Sequence, residues 1–410
     1  MWPSIKPYRD WAMRDLWPFG RSAPQPLGLN FRYERAGLSI ADQPIPWTAE
    51  AVVVEALLRL PASTGRRKSD FTLCIPERPP APADQLRRVE GEDLFRVSFR
   101  AHPPGASVSA RVLFRDRVLG EVALPALGRD EFLRSLRVEM PTLFVRLGAE
   151  SVACQTFVPA QCRGLIATAM LVSPTGLAPL LDFELAVEFH GARDGSTFRA
   201  PACLTAAQLT GQTALLSVAP PHRPRHTGEW TATWRVGEHA LAARRIRGVS
   251  RRRFQRSLRL SDARFIVQKD GEPFRLCLQP PVLEPGTQVG PCFLLTSSEP
   301  GMAGLCQVQV VAQTPGSPAP PVVLEQQVRI TDGPTMAAPG TLRAAQLQQV
   351  AGFEVSVGGL SLGMLSLCPA PAATFTGEGG FRAAPDYPWT AAADEEMNDR
   401  LNRLLDKPAE

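Results

Sequence analysis

Phe353-Glu-Val-Ser-Val-Gly-Gly-Leu-Ser-Leu-Gly-Met-Leu-Ser-Leu367 alternates apolar with small or polar residues on both sides of a Gly358-Gly359 pair. Alternation with period two buries one face of a strand and leaves the other to water. Two glycines between such runs supply the positive φ angles that a two-residue hairpin turn demands. The stretch therefore reads as a β-hairpin, and it occurs three times. Val112, Leu119, Leu124 and Phe132 align without a gap with Trp234, Leu241, Ile246 and Phe254, and again with Val355, Leu362, Leu367 and Phe375. The matching turn pairs are Arg115-Asp116 and Gly237-Glu238.

Working outward, the first two hairpins leave by nearly the same block, Phe132-Leu-Arg-Ser-Leu-Arg137 and Phe254-Gln-Arg-Ser-Leu-Arg259. The third keeps Phe375 and then diverges, as a terminal repeat can. Beginnings agree as well. Phe31, Pro46 and Pro61 share their spacing with Phe144, Pro159 and Pro174, and Phe265 with Pro280 keeps the first interval. Two ungapped blocks per copy define repeats of roughly 110 to 120 residues, a common size for one domain.

Strands are expected near Leu29 to Arg35, Ala51 to Leu58, Phe71 to Ile75 and Phe95 to Ala101 ahead of the first hairpin, with counterparts in the later copies. Arg66 to Asp70 and Glu77 to Glu92 read as exposed loops. The 40 prolines, about twice the usual share, cluster between apolar runs where helices could not persist. About seven short strands per copy resemble, in architecture, an immunoglobulin- or fibronectin-like β-sandwich. The Cys–Trp–Cys pattern of antibody domains is missing, so the resemblance transfers no functional residue. The expected fold is all-β: three tandem sandwiches at 29–137, 138–260 and 261–380, an aromatic N-terminal extension at 1–28 and a helical tail at 381–410.

Both extensions read as binding elements. Tyr8, Trp11, Trp17 and Phe19 crowd the first, which could strap the first domain or anchor a partner through Trp11 and Trp17. In the second, Met397, Leu401, Leu404 and Leu405 form one stripe of an amphipathic helix, with Asp394, Glu395 and Glu396 at its N-terminal end. Leu401 and Leu404 are its candidate contacts. A helix this short must dock on its own domain or on a partner.

Composition narrows the function. Apolar residues make up 44% and charged residues 21%, an ordinary globular balance. The net charge of +5 is carried almost wholly by arginine, which points to a GC-rich bacterial genome. The N-terminus has no apolar core of signal-peptide length, so a cytoplasmic location is expected. The eight cysteines fall at different columns in each copy, with no C-x-x-C pair, so reduced thiols are expected over disulfides or a metal.

No catalytic set assembles. Gly359-Leu-Ser361-Leu-Gly363 matches the nucleophile-elbow pattern of α/β-hydrolases, yet Ser361 aligns with Val118 and Ala240 on a hairpin's return strand, and no histidine follows His239. His222 and His226 have metal-ligand spacing only on a helix, which the prolines around them exclude. Phosphate-binding glycine loops are absent. No cofactor is expected.

One charge run remains. Arg244, Arg245, Arg247, Arg251, Arg252, Arg253, Arg256 and Arg259 crowd the end of the second copy. They could form a solvated hairpin, meet the next domain, bind an acidic protein or hold nucleic-acid phosphates. Only Phe254 lies among them, short of the stacking platforms of single-strand readers. The expectation is a non-catalytic scaffold that binds other proteins through its sandwiches and terminal peptides, with Arg251, Arg252 and Arg253 as further candidate contacts. Nucleic-acid binding by the arginine cluster, or a carbohydrate-binding or enzyme-associated module, are the alternatives.

Overall fold

The computed structural model describes residues 24–60, 67–89, 94–316 and 320–367. Trp11, Trp17, Leu401 and Leu404, with the expected N-terminal strap and C-terminal helix, lie outside the described residues. What is described is mostly β-strand, arranged as sandwiches.

In the first repeat the strands of four or more residues are β1 (Gln25–Arg35), β2 (Leu38–Ala41), β3 (Ala51–Arg59), β4 (Phe71–Cys74), β5 (Gln85–Arg88), β6 (Leu94–Ala101), β7 (Val108–Phe114) and β8 (Arg117–Leu124). One sheet runs β2-β1-β3-β6-β5 and the other carries the β7/β8 hairpin beside β4. Val52, Val54, Ala56, Val97 and Phe99 from the first sheet and Phe71, Leu73, Ala110 and Val112 from the second form one buried core. The stretch expected as a loop at Glu77 to Glu92 instead holds two short strands, Ala81–Pro82 and β5. They are too short for periodicity to reveal, and only pairing with β4 and β6 defines them.

The second repeat continues with β9 (Arg137–Leu147), β10 (Glu150–Ala153), β11 (Thr156–Phe157), β12 (Gly164–Val172), β13 (Leu185–Gly191), β14 (Thr197–Pro201), β15 (Thr213–Val218), β16 (Gly228–Val236) and β17 (His239–Gly248). The third has β18 (Leu258–Lys269), β19 (Arg275–Cys277), β20 (Thr287–Ser297), β21 (Met302–Gln313), β22 (Val322–Ile330), β23 (Thr335–Ala337), β24 (Gly352–Val357) and β25 (Leu360–Ser366). Its core draws Phe265, Val289, Phe293 and Leu295 from one sheet and Val308, Val310, Phe353 and Val355 from the other.

The three hairpins form where the repeat columns require. Turn closures pair Phe114 with Arg117, Val236 with His239 and Val357 with Leu360. Gly358 and Gly359 have positive φ, as do Arg115 and Asp116, which hold the left-handed conformation without being glycine. The same leucine column carries a further device. Register shifts fall where Leu119, Leu241 and Leu362 stand as the extra residue of a β-bulge on each return strand.

The block leaving the first two hairpins is helical, where the sequence suggested only a chain exit. α1 (Arg129–Ser135) and α2 (Arg251–Ser257) each bury their phenylalanine fully. The serine of the shared block ends the turn: Ser135 Oγ donates to the Phe132 carbonyl at 2.8 Å and Ser257 Oγ to that of Phe254 at 2.7 Å. Phe132 meets Trp47 and Phe183, with ring centroids 6.1 Å away in each case. Phe254 lies against Gly304 of β21, where an added Cβ would come within 2.8 Å of the ring.

The described residues group into two compact units. One runs to Glu139 and takes in Met170–Glu184 and Cys203–Ala214; the other holds Met140–Ala169, Leu185–Ala202 and the residues from Leu215 on. Within the second unit, β11 pairs in parallel with both β17 and β21, so the hairpin sheets of repeats two and three become one sheet. Gln161 extends that seam: its Nε2 donates to the Leu305 carbonyl at 2.5 Å, and its Oε1 accepts the Leu305 N–H at 2.8 Å. An amide side chain thereby takes the place of one more strand residue.

Candidate functional site

The arginine run folds into two pieces beside this seam. On β17, Arg245 and Arg247 alternate onto the face opposite buried Ile246 (2% exposed), while Arg244 shares the Ile246 face and is nonetheless exposed. Arg251, Arg252, Arg253 and Arg256 lie on α2, which starts where Ser250 Oγ accepts the Arg253 N–H at 3.2 Å. Both pieces bury one apolar anchor and turn their guanidinium groups outward.

Electrostatics then separates the arginines. Arg253 pairs with Glu299 at 2.6 Å and Arg245 with Glu229 at 3.3 Å. Arg259 turns back onto the carbonyls of Arg256 and Leu258, at 2.6 and 2.8 Å. Arg244, Arg247, Arg251, Arg252 and Arg256 are exposed and have no acidic partner among the described residues. Arg253 thus stands beside an acid of its own chain, whereas Arg251 and Arg252 have no acidic partner among the described residues.

The motifs weighed in the sequence sit as follows. Ser361 is on β25, the return strand of a hairpin. The His222 to His226 segment carries no regular structure. His226 Nε2 is 3.5 Å from Asp194, whose carboxyl is held below its ordinary range chiefly by donor bonds from Ser196. Among the described residues no group of three histidine, cysteine or acidic side chains gathers as metal ligands. The seven described cysteines are free. Burial pushes Cys154, Cys292 and Cys306 up to about 12 and Cys162 up to about 11, which keeps these thiols protonated and poorly nucleophilic. No helix among the described residues is long and apolar enough to cross a membrane.

Trp47 escaped the sequence reading. It is 40% exposed and sits edge-on to Phe183 at 6.1 Å, with the Arg129 guanidinium 5.3 Å over the Phe183 ring. No sequence signal marks it, because Trp47 stands in a turn directly after the two-residue strand Ile45–Pro46 and meets Phe183 only through the fold.

No protein-family model matches the chain, and no curated protein matches it. Among solved structures it is similar to the Escherichia coli adhesin FdeC at 12% identity, covering 84% of this chain and 96% of that one with a TM-score of 0.25. A second is invasin, a bacterial integrin-binding protein, at 12% identity over 85% of this chain and 61% of that one, TM-score 0.24. A third is a tandem segment of titin, at 8% identity over 76% and 90%, TM-score 0.23. Likeness at these values carries no argument about function. The sandwich architecture rests on the sheets themselves.

Proposed function

We propose that this protein is a non-catalytic scaffold of the cytoplasm that receives an acidic protein partner on the arginine surface of β17 and α2. The observation carrying the reading is the set of exposed, acid-free guanidinium groups of Arg247, Arg251, Arg252 and Arg256, fixed on a strand and a helix anchored by Ile246 and Phe254. Guanidinium forks match carboxylates bidentately, and a rigid backing holds them at set spacing. With Phe254 fully buried, no exposed ring in the run can stack a base, which favours carboxylates over single-stranded nucleic acid. Free cysteines are in keeping with a reducing compartment.

Magnitudes define the surface's share of the work. An exposed ion pair contributes about 0.2–1 kcal/mol, so four give about 1–4 kcal/mol in total, no better than about millimolar affinity. The surface therefore selects and steers the partner. Tight holding requires apolar anchors, and Trp11, Trp17, Leu401 and Leu404 are the candidates in the terminal segments.

The test is fluorescence anisotropy of the full chain with a 20-residue Glu/Asp-rich peptide and, separately, a single-stranded DNA of equal charge. Expected is peptide binding that weakens at least tenfold when Arg251, Arg252 and Arg256 become alanine, with the DNA bound less tightly. Equal or tighter DNA binding, or peptide binding indifferent to the substitutions, overturns the proposal.

A further inference from the structure

A groove of about 470 Å³ opens on the outer face of sheet β2-β1-β3-β6-β5 in the first repeat. Alternation on β3 and β6 sends Val52, Val54, Val97 and Phe99 into the core and leaves Glu55, Arg96, Ser98 and Arg100 on the groove side. Long polar side chains wall it, and Val53, only 5% exposed, forms its floor.

The charges of this face do not balance locally. Each acid is engaged: Glu55 pairs with Arg32 at 2.5 Å, Glu34 with Arg100 at 2.7 Å, and Asp84 accepts the backbone N–H of Arg100. Arg87 of β5 and Arg96 of β6 remain. They stand directly opposite each other across the ladder, and neither guanidinium has an ion pair or hydrogen bond among the described residues. Like charges facing across two strands destabilise a sheet. The next rung toward Glu55 pairs Gln85 with Ser98, two further hydrogen-bonding side chains on the groove wall. A departure from local sheet chemistry, set in a concave site, marks a place where a ligand compensates it.

We propose that Arg87 and Arg96 clamp an oxyanion, the carboxylate or phosphate group of a small ligand, with Gln85 and Ser98 as neighbouring donors. Two forks on adjacent strands can each direct paired N–H groups at one anion, which neutralises the like-charge contact. The site is separate from the arginine surface of β17 and α2 and does not depend on that reading. Two rivals exist for the pair. Arg87 lies on an edge strand, where a charge discourages pairing with other chains. The carboxylates Glu90, Glu92 and Asp93 also follow β5 in the sequence.

Calorimetric titration of the full chain with inorganic phosphate, and in a separate arm with succinate, tests the proposal; the arm that saturates identifies the group. The expected result is saturable binding that weakens at least tenfold in R87A/R96A, with a melting temperature equal to or above that of the parent. The same binding should survive in R251A/R252A/R256A. Failure of both anions to bind overturns the proposal, as does equal weakening in the triple variant. A lower melting temperature in R87A/R96A with binding unchanged also overturns it and assigns the pair to the chain's own carboxylates.

Discussion

At the scale of single residues, the phenylalanine column has the largest consequences. Phe254 is fully buried, and bare Gly304 lets its ring lie directly on β21. Truncation to alanine should cost about 3–5 kcal/mol, read as a drop in the denaturant midpoint. A loss below about 1 kcal/mol would mean that the ring is no keystone of the core. The spacing of Phe132 and Phe254 was legible in the sequence, but the helices carrying them were not: seven residues are too few for a 3.6-residue period to declare itself. Cysteines give the second residue-level prediction. The folded thiol of Cys292 is pushed up to about 12 by burial, whereas an unfolded cysteine ionises near about 8.5. Between those values the unfolded chain binds fewer protons, so stability is intact below the lower value and falls as pH rises through the window. Replacing Cys292 by alanine should flatten that alkaline decline in urea unfolding series. An unchanged slope would show that the thiol does not take part.

At the scale of elements, the hairpins were open to sequence reading because a tight turn joins two alternating strands and leaves little freedom of register. β11 was not. Two residues have no period, and the strand exists only through its parallel bridges to β17 and β21. The Gln161 clamp was equally hidden, since a glutamine on a short turn after Pro159 gives no sign that its amide will complete a ladder. Gln161→Leu should leave the Leu305 N–H and carbonyl without these partners, costing about 1–3 kcal/mol. Hydrogen exchange reads this locally: the Leu305 amide should exchange faster while the buried strands of the first repeat keep their protection. Unchanged exchange at Leu305 would show that the clamp is not formed in solution.

At the scale of the whole molecule, three sandwiches follow from one alternating pattern written three times, and the joining of the second and third hairpin sheets follows from a strand that no pattern announces. The arginine surface was visible as a run of like charge; its division between β17 and α2, and the pairing of Arg253 with Glu299, required the fold. The groove residues stayed out of sight for a different reason. Arg32, Glu55, Arg87 and Arg96 come from four strands, each with an unremarkable alternation, and only the sheet order sets them side by side. The claim that ties fold to function is that the surface of β17 and α2 is where an acidic partner lands. Photo-crosslinking the full chain to a Glu/Asp-rich peptide bearing a photoreactive group, followed by peptide mapping, tests it most directly. Adducts concentrated on residues 244–256 and lost at high salt are the predicted result; adducts that avoid this segment, or that persist unchanged when Arg251, Arg252 and Arg256 are alanine, would contradict it.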